Sequence, residues 1–357
     1  MPDITSQLLE QVLEARLERR CLQIVGGGSK EHYGRPSRGS KIELSGHQGI
    51  ISYQPDELVL TVRCGTRIEV IQALLAEKNQ MLASDPPQYN GAATIGGSVA
   101  CNDSGPGRPW TGSIRDSVLG IQLITGKGDK LQFGGRVMKN VAGYDVSRLQ
   151  CGAMGCMGIV SEVSLKVMPR PAHSLTMKLE INSHIDALEH MSLLARSAFP
   201  ISGNCWIDGI QYVRFEGAYS AVEKAAKDYA RLFPDANELR DGSSFWGSVR
   251  DHHHSFFRSS RRLWRLSIHP TAQYSELEPG LIDWSGAQRW IPGEHNMTEM
   301  VAALSPIGGN ASLIKGGIGE EDVFHPMDEG SQRLHVALKS KFDPDRIFNP
   351  GRMYSWL

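Results

Sequence analysis

The chain has 357 residues, with 38 Lys and Arg against 39 Asp and Glu, a formal charge of −1. That balance removes the electrostatic case for nucleic acid or an anionic membrane surface, both of which need a basic excess. Hydrophobic residues at 40% and charged residues at 22% exclude a disordered chain and leave room for roughly two or three domains. Glycine is the anomaly: 23 of the 38 lie between residues 26 and 160.

No run of about 18 apolar residues occurs, so no spanning helix is expected. The start, Met-Pro-Asp and then an amphipathic segment, carries no secretory h-region, and a cytoplasmic protein is expected. Cys21, Cys64, Cys101, Cys151, Cys156 and Cys205 form no Cys-x-x-Cys pair and read as reduced thiols.

In chain order, Leu8, Leu9, Val12, Leu13 and Leu17 predict a surface helix over 6–20. A short strand from Cys21 to Val25 ends in Gly26-Gly27-Gly28. Apolar runs at 41–44, 49–53 and 58–63 follow, and Thr66 with Glu69 predicts a capping box opening a helix to about residue 77. After a glycine-rich stretch, 90–112, strands are expected at 117–125 and 130–133, joined by a hairpin at Gly126-Lys127-Gly128-Asp129. A helical turn at 145–149 and a strand over 157–168 lead to Pro169-Arg170-Pro171, the clearest boundary signal. Beyond it, strands are expected at 175–181, within 206–215, at 262–268 and within 281–291. Helices are expected at 183–198, 221–233, much of 243–257 and 327–338. This order predicts a small sheet covered by helices on one face.

Closely spaced glycines let successive backbone N–H groups turn toward one point, and such arrays hold phosphates. Three candidates stand in the first half: Gly26-Gly27-Gly28-Ser29-Lys30, Gly91 to Ser98, and Gly152 to Gly158. The dinucleotide pattern fails because Glu31 stands where its third glycine belongs. The P-loop pattern fails around Gly126-Lys127, where Gly128 replaces a hydroxyl residue. A Rossmann domain and a kinase-like NTPase are therefore disfavoured.

Four segments together resemble the FAD-binding domain of the p-cresol methylhydroxylase (PCMH) and vanillyl-alcohol oxidase family. They are the Gly-Gly-Gly-Ser loop at 26–29; Thr94-Ile95-Gly96-Gly97-Ser98-Val99-Ala100-Cys101-Asn102 followed by Gly112-Ser113-Ile114-Arg115-Asp116; Gly143-Tyr144-Asp145 with Leu149, Gly152, Gly155 and Gly158-Ile159-Val160; and Phe342-Asp343-Pro344 with Asn349-Pro350-Gly351. Two further stretches, Gly28-Ser29-Lys30 with Tyr33-Gly34-Arg35-Pro36 and 139–145, are similar to the FAD-binding subunits of bacterial glycolate oxidases.

The resemblance implies an α+β fold: a two-subdomain FAD-binding domain at 1–171, a smaller mixed cap or partner domain at 172–325, and a C-terminal segment, 326–357, returning to the FAD domain. It implies non-covalent FAD and oxidation of glycolate to glyoxylate in a complex. The partners would be a flavoprotein catalytic subunit and an iron–sulfur subunit. The chain would sit in the cytoplasm, or at the inner membrane through the complex.

By the same resemblance, Gly26, Gly27, Gly28, Ser29 and Lys30, together with Thr94, Ile95, Gly96 and Gly97, face the pyrophosphate; Lys30 is equally readable as a solvated surface lysine. Pro87 and Gly91 line the approach of the flavin. Gly112 and Ser113 lie by the ribose or flavin edge. Ile159 and Val160 meet the adenine end, Asn349 reaches toward the isoalloxazine, and Asn102 and Gly158 complete the cofactor-binding set. Arg115 and Asp116 fit a structural pair or turn better than a ligand contact. His32 and Cys101 are the two residues placed for a covalent flavin link.

The second half is quieter. His252-His253-His254 reads as a helix segment and Glu294-His295-Asn296 as a loop, and His325 stands with no base, so no metal site is expected. Removing hydride from a 2-hydroxy acid needs a base for the hydroxyl proton and a cation for the carboxylate. Arg250, Arg258, Arg261, Arg262 and Arg265 supply cations, but no base stands with them in sequence, and no catalytic residue is assigned. Phe245, Trp246, Phe256, Phe257, Trp264, Trp284 and Trp290 read as core, any exposed member marking an interface. Two alternatives stay open: a stand-alone FAD-dependent hydroxy-acid or alcohol dehydrogenase, and a non-catalytic scaffold with a structural nucleotide site.

Overall fold

The computed structural model describes residues 3–135, 144–272, 277–319 and 321–357. The 139–143 part of the family resemblance lies outside them.

The first half is built around one long strand, Ile159–Pro169. Val59–Arg63 pairs antiparallel along one edge of it and Val118–Ile124 along the other. Ile50–Gln54 and Lys130–Gly134 extend the sheet outward, and Gln80–Leu82 pairs with the far end. Alternation puts Val163, Leu165 and Val167 into a core with Leu60, Val62, Ile121 and Leu123, and the helices Thr5–Leu17 and Ile68–Ala76 cover it with Leu8, Val12, Ile68 and Ile71. A separate parallel pair, Leu22–Val25 with Ser40–Glu43, carries the first glycine loop off its end.

The expected capping box at Thr66 does not form. Thr66 Oγ1 instead accepts from the Gly49 N–H at 2.9 Å, and Arg67 becomes the N-cap with no side-chain bond.

The second sheet is larger than expected. Its eight strands run in the order Asn237–Glu238, His173–Glu180, Ile210–Gly217, Ile201–Ile207, Leu281–Asp283, Gln288–Pro292, Leu263–Ser267, Asn310–Lys315. All neighbours are antiparallel. Asp208-Gly209, both at positive φ, turns Ile201–Ile207 back into Ile210–Gly217, so the apolar run expected at 206–215 is a hairpin. The expected helix over 243–257 is two helices, Gly242–Arg250 and Ser255–Ser259, broken where His252 takes φ 56°.

Trp246, Phe256, Phe257, Trp264, Trp284 and Trp290 are all buried within the chain. They form core, so no partner surface is built from them. No helix among the described residues is long and apolar enough to cross a membrane.

The C-terminal segment packs back against the first half. Helix Glu329–Phe342 ends in the i,i+4 pair Lys339–Asp343, 2.7 Å apart and fully buried on both sides. The Lys339 ammonium also donates to the carbonyls of Cys156 at 2.5 Å and Phe348 at 2.9 Å, while Asp343 accepts from the N–H groups of Ile347 and Phe348. Every formal charge is thereby matched, the condition under which a buried pair is tolerated. The pair fixes Ile347 and Phe348 beside Leu22 in the first core.

Lys339→Met leaves Asp343 buried without its cation. It should lower unfolding free energy by about 3–5 kcal/mol. Arg333→Met, which removes only an exposed 3.6 Å contact to Glu329, should cost under ~1 kcal/mol. Denaturant titration of the two variants checks the contrast.

Candidate functional site

A cleft opens where the first glycine loop, the second glycine loop and the C-terminal segment meet. Its middle is lined by Gly26 to Glu31 together with Thr94, Gly97, Cys101, Asn349 and Arg352. It continues in one direction past Gly96, Gly155, Gly158 and Val160. In the other direction Gly27, Gly28 and Ser29 also line a wider cavity that faces Tyr89, His252, Phe257 and Lys315.

Glycine is required here first by the approach of two backbones. A Cβ on Gly27 would overlap the Ala92 carbonyl, and one on Gly26 would lie 2.5 Å from Thr94 Oγ1. A Cβ on Gly96 would lie 2.7 Å from that of Cys64, and Gly28 takes φ 71°. The second loop is pinned from behind: Ile68 N–H donates to the Ala93 carbonyl, Ile95 N–H to Thr66, and Gly96 N–H to Cys64, each at 2.9 Å.

The two loops therefore differ in what they offer. In the second, the N–H groups of Ile95 and Gly96 are spent on the backbone, and that of Gly97 on Thr94 Oγ1 at 3.2 Å. Of the four residues 94–97 expected to donate to a phosphate, Ile95, Gly96 and Gly97 thus have their N–H groups engaged within the chain, while Thr94 lines the cleft. In the first, the N–H groups of Gly27, Gly28, Ser29 and Lys30 donate to no acceptor among the described residues.

Lys30 is buried, not solvated. Its ammonium lies 3.4 Å from Ser98 Oγ and 5.1 Å from the centre of the Tyr89 ring, and no described carboxylate pairs with it. A buried cation beside four amides with no acceptor among the described residues suits a multiply charged anion. A pyrophosphate fits that donor set.

The other expected residues fall into two groups. Gly158 and Val160 line the far end of the cleft, while Ile95 and Ile159 point into the core. Asn349 stands on the wall, but its amide is committed: Nδ2 donates to the Met154 carbonyl at 2.7 Å and Oδ1 accepts from Ile24 N–H at 2.8 Å. Gly91 lies between Asn90 and Ala92, which line the wider cavity, and Pro87 lines a smaller pocket behind it. Asn102, Gly112 and Ser113 stand off the cleft. Asn102 caps a helix in left-handed conformation, and Ser113 is tied to Asp116 in a capping box. Asp116 therefore has a structural role, in keeping with its reading as a turn residue.

Burial pushes the Cys101 thiol up to about 11, which disfavours its thiolate. His295 and Asn296 belong to a helix cap, and His325 is held by the backbone of Ala311. No described cluster of three His, Cys, Asp or Glu could hold a metal ion.

Sequence reasoning missed Arg352, Tyr89 and His252. Arg352 donates to the carbonyls of Arg35 and Lys30 and closes the floor of the cleft; its place directly after Asn349-Pro350-Gly351 was an available signal. His252 stacks on Phe257, ring centres 4.3 Å apart, and meets Trp290 and Tyr89 edge-on. Burial lowers its pKa to about 4.

A histidine protonated less readily in the folded than in the unfolded chain destabilises the fold as pH falls. The loss begins near the unfolded value of 6.5 and is complete near 4. Asp283, raised by burial to about 7, slopes the opposite way, since the unfolded carboxyl ionises from 3.8 upward. The His252 contribution is thus read as a difference. The stability of the unaltered chain relative to His252→Asn should rise between pH 4 and 6.5 and then level off, as checked by denaturant titrations across that range.

A family model described as an FAD binding domain matches residues 1–134. Glycolate oxidase subunit GlcE of Escherichia coli (strain K12) is 42% identical over 357 residues, covering 99% of both chains. Glycolate oxidase subunit GlcD of Bacillus subtilis (strain 168) is 32% identical over 154 residues, 43% of this chain and 32% of that one. Among solved structures, alkyldihydroxyacetonephosphate synthase superposes with a TM-score of 0.66 over 97% of this chain and 75% of its own, at 14% identity, a likeness of fold alone. With 42% identity from end to end, the chain belongs to the family of glycolate oxidase GlcE subunits, and it carries an FAD-binding domain of PCMH type.

Proposed function

We propose that the chain is the FAD-binding subunit of a complex that oxidises glycolate to glyoxylate, and that it relays or assists electron transfer there. Its partners in this reading are a flavoprotein catalytic subunit of the GlcD kind and an iron–sulfur subunit. The complex would hold it in the cytoplasm or at the inner membrane. Residues 1–171 and 326–357 form the FAD-binding part and 172–325 the cap.

One observation carries the reading: buried Lys30 and the amides of Gly27 to Lys30, which have no acceptor among the described residues, form an anion cradle at the middle of a long cleft. Bound there, FAD would supply two-electron chemistry that the side chains lack. The chain's own part is to hold it. Lys30 and the first loop neutralise and hydrogen-bond the pyrophosphate without a covalent link. Gly158 and Val160 receive the adenine end, and the wider cavity between Gly27 and Tyr89 receives the ring. Asn349 and Arg352 brace the floor.

Lys30→Met should weaken FAD at least about tenfold, the loss expected for one charge-assisted contact. It should leave the FAD-free chain equally stable or more so, because an unpaired buried charge is removed. Flavin fluorescence titration and thermal unfolding of the FAD-free chain measure the two effects. Reconstitution with both partner subunits should restore glycolate-dependent dye reduction, and do so poorly with the variant at limiting FAD. Unchanged FAD affinity would remove the proposed pyrophosphate site.

A further inference from the structure

We propose that Gln150 reads the base of the cofactor. Its side-chain amide donates to a ring nitrogen of adenine at the far end of the cleft, and the chain thereby selects a flavin dinucleotide over a mononucleotide. The inference rests on the reading of the cleft as an FAD site and adds a side chain that reading does not use.

Buried polar side chains are as a rule hydrogen-bonded, and each exception calls for a reason. Among the described residues that line the cleft, two carry a buried side-chain atom without a partner. They are Ser37, through Oγ, in its middle, and Gln150, through Nε2, at the end past Gly96 and Gly158. Ser37 lines the part formed by the first glycine loop, and its hydroxyl rotates to suit a neighbour. Gln150 is only 2% exposed, too enclosed for bulk water to satisfy its amide. A buried donor with no acceptor costs stability, and it is retained where a ligand supplies one.

The backbone fixes where that amide stands. Gln150 closes the helical turn Val146–Leu149: its N–H donates to the Val146 carbonyl, and its own carbonyl accepts from the Ala153 N–H, each at 3.2 Å. Asp145 caps the front of the turn, accepting from the Arg148 N–H at 3.0 Å. Behind it, the N–H groups of Gly152 and Met154 donate to the carbonyls of Val99 and Ala100 at 3.0 and 2.8 Å. These bonds tie the third glycine loop to the helix Ile95–Cys101. Position 150 is thus held on both sides before any ligand arrives, which is what a recognition group needs.

The surroundings decide what the amide can meet. Ile24, Leu44, Met154 and Val160 give this end of the cleft apolar walls, suited to a flat ring. The other polar side chains beside them are engaged or weak. Thr94 Oγ1 accepts from the Gly97 N–H at 3.2 Å, and both atoms of the Asn349 amide are bonded. Burial raises the Cys64 thiol, which stays neutral and is a weak donor. No charged side chain among the described residues lines this end, so a phosphate finds no counter-charge there. One uncommitted amide donor between apolar walls suits a neutral heterocycle with a lone pair in its plane. Adenine carries such lone pairs on its ring nitrogens, and glutamine pairs with adenine through them. With the pyrophosphate held at Lys30, FAD places its base at this end, whereas FMN has no base to place there.

The test uses the full chain freed of flavin. FAD and FMN are titrated by flavin fluorescence, and ADP by its displacement of FAD. Gln150→Leu keeps the bulk of the side chain and removes the donor; Gln150→Met serves if the Leu variant does not fold. Either should weaken FAD and ADP about three- to tenfold, the loss of one hydrogen bond to a neutral acceptor, and leave FMN unchanged. The FAD-free variants should melt at the temperature of the unaltered chain or above it, since an unpartnered buried donor has been removed. Should an internal water satisfy the amide instead, FAD and ADP will bind the variants as tightly as the unaltered chain, and the inference falls while the FAD site stands. A lower melting temperature with nucleotide affinity unchanged marks a structural amide and overturns it too, as does an equal loss of affinity for FMN. An unaltered chain that binds neither FAD nor ADP removes the FAD reading, and the inference with it.

Discussion

Two backbone loops from separate parts of the chain lie closer together than any side chain permits. Gly26 and Gly27 abut Ala92 and Thr94, with the Ala92 carbonyl in the space a Cβ would fill. Everything else at the site follows from that approach. The second loop can come so near because its N–H groups turn backward onto Cys64, Thr66 and its own cap. The first loop lines the cleft with N–H groups that have no acceptor among the described residues, and Lys30 is carried in beside Ser98.

Buried charge is treated in two ways in this chain. Lys339 and Asp343 are matched atom for atom, and the pair fastens the C-terminal segment so that Asn349 and Arg352 stand on the cleft wall. Lys30 is left without a carboxylate partner among the described residues. An unmatched buried cation lowers stability and is retained where a ligand completes it. The matched pair therefore reads as architecture and the unmatched cation as function.

Much of the first half was legible. Glycine clusters, the 126–129 hairpin, the strand before Pro169 and the returning Asn349-Pro350-Gly351 are local signals, each fixed by φ, by proline or by alternation. What was not legible depended on contacts between distant segments. Thr66 looked like a cap but bonds Gly49, seventeen residues back in the chain. The second glycine loop looked like a donor array, yet its amides are consumed by Cys64 and Thr66. His252 looked helical within a histidine triplet, whereas anchoring of Asp251 by Arg250 and Gln88 breaks the helix there.

The central claim is that FAD lies along this cleft with its pyrophosphate on the first glycine loop. Amide hydrogen exchange of the whole chain with and without FAD tests it most directly, because the open N–H groups are the proposed donors. Slowed exchange at Gly27 to Lys30, with little change at Ile95 and Gly96 whose amides are already bonded, is the predicted pattern. FAD-dependent protection that spares 27–30 and falls elsewhere in the chain contradicts the account.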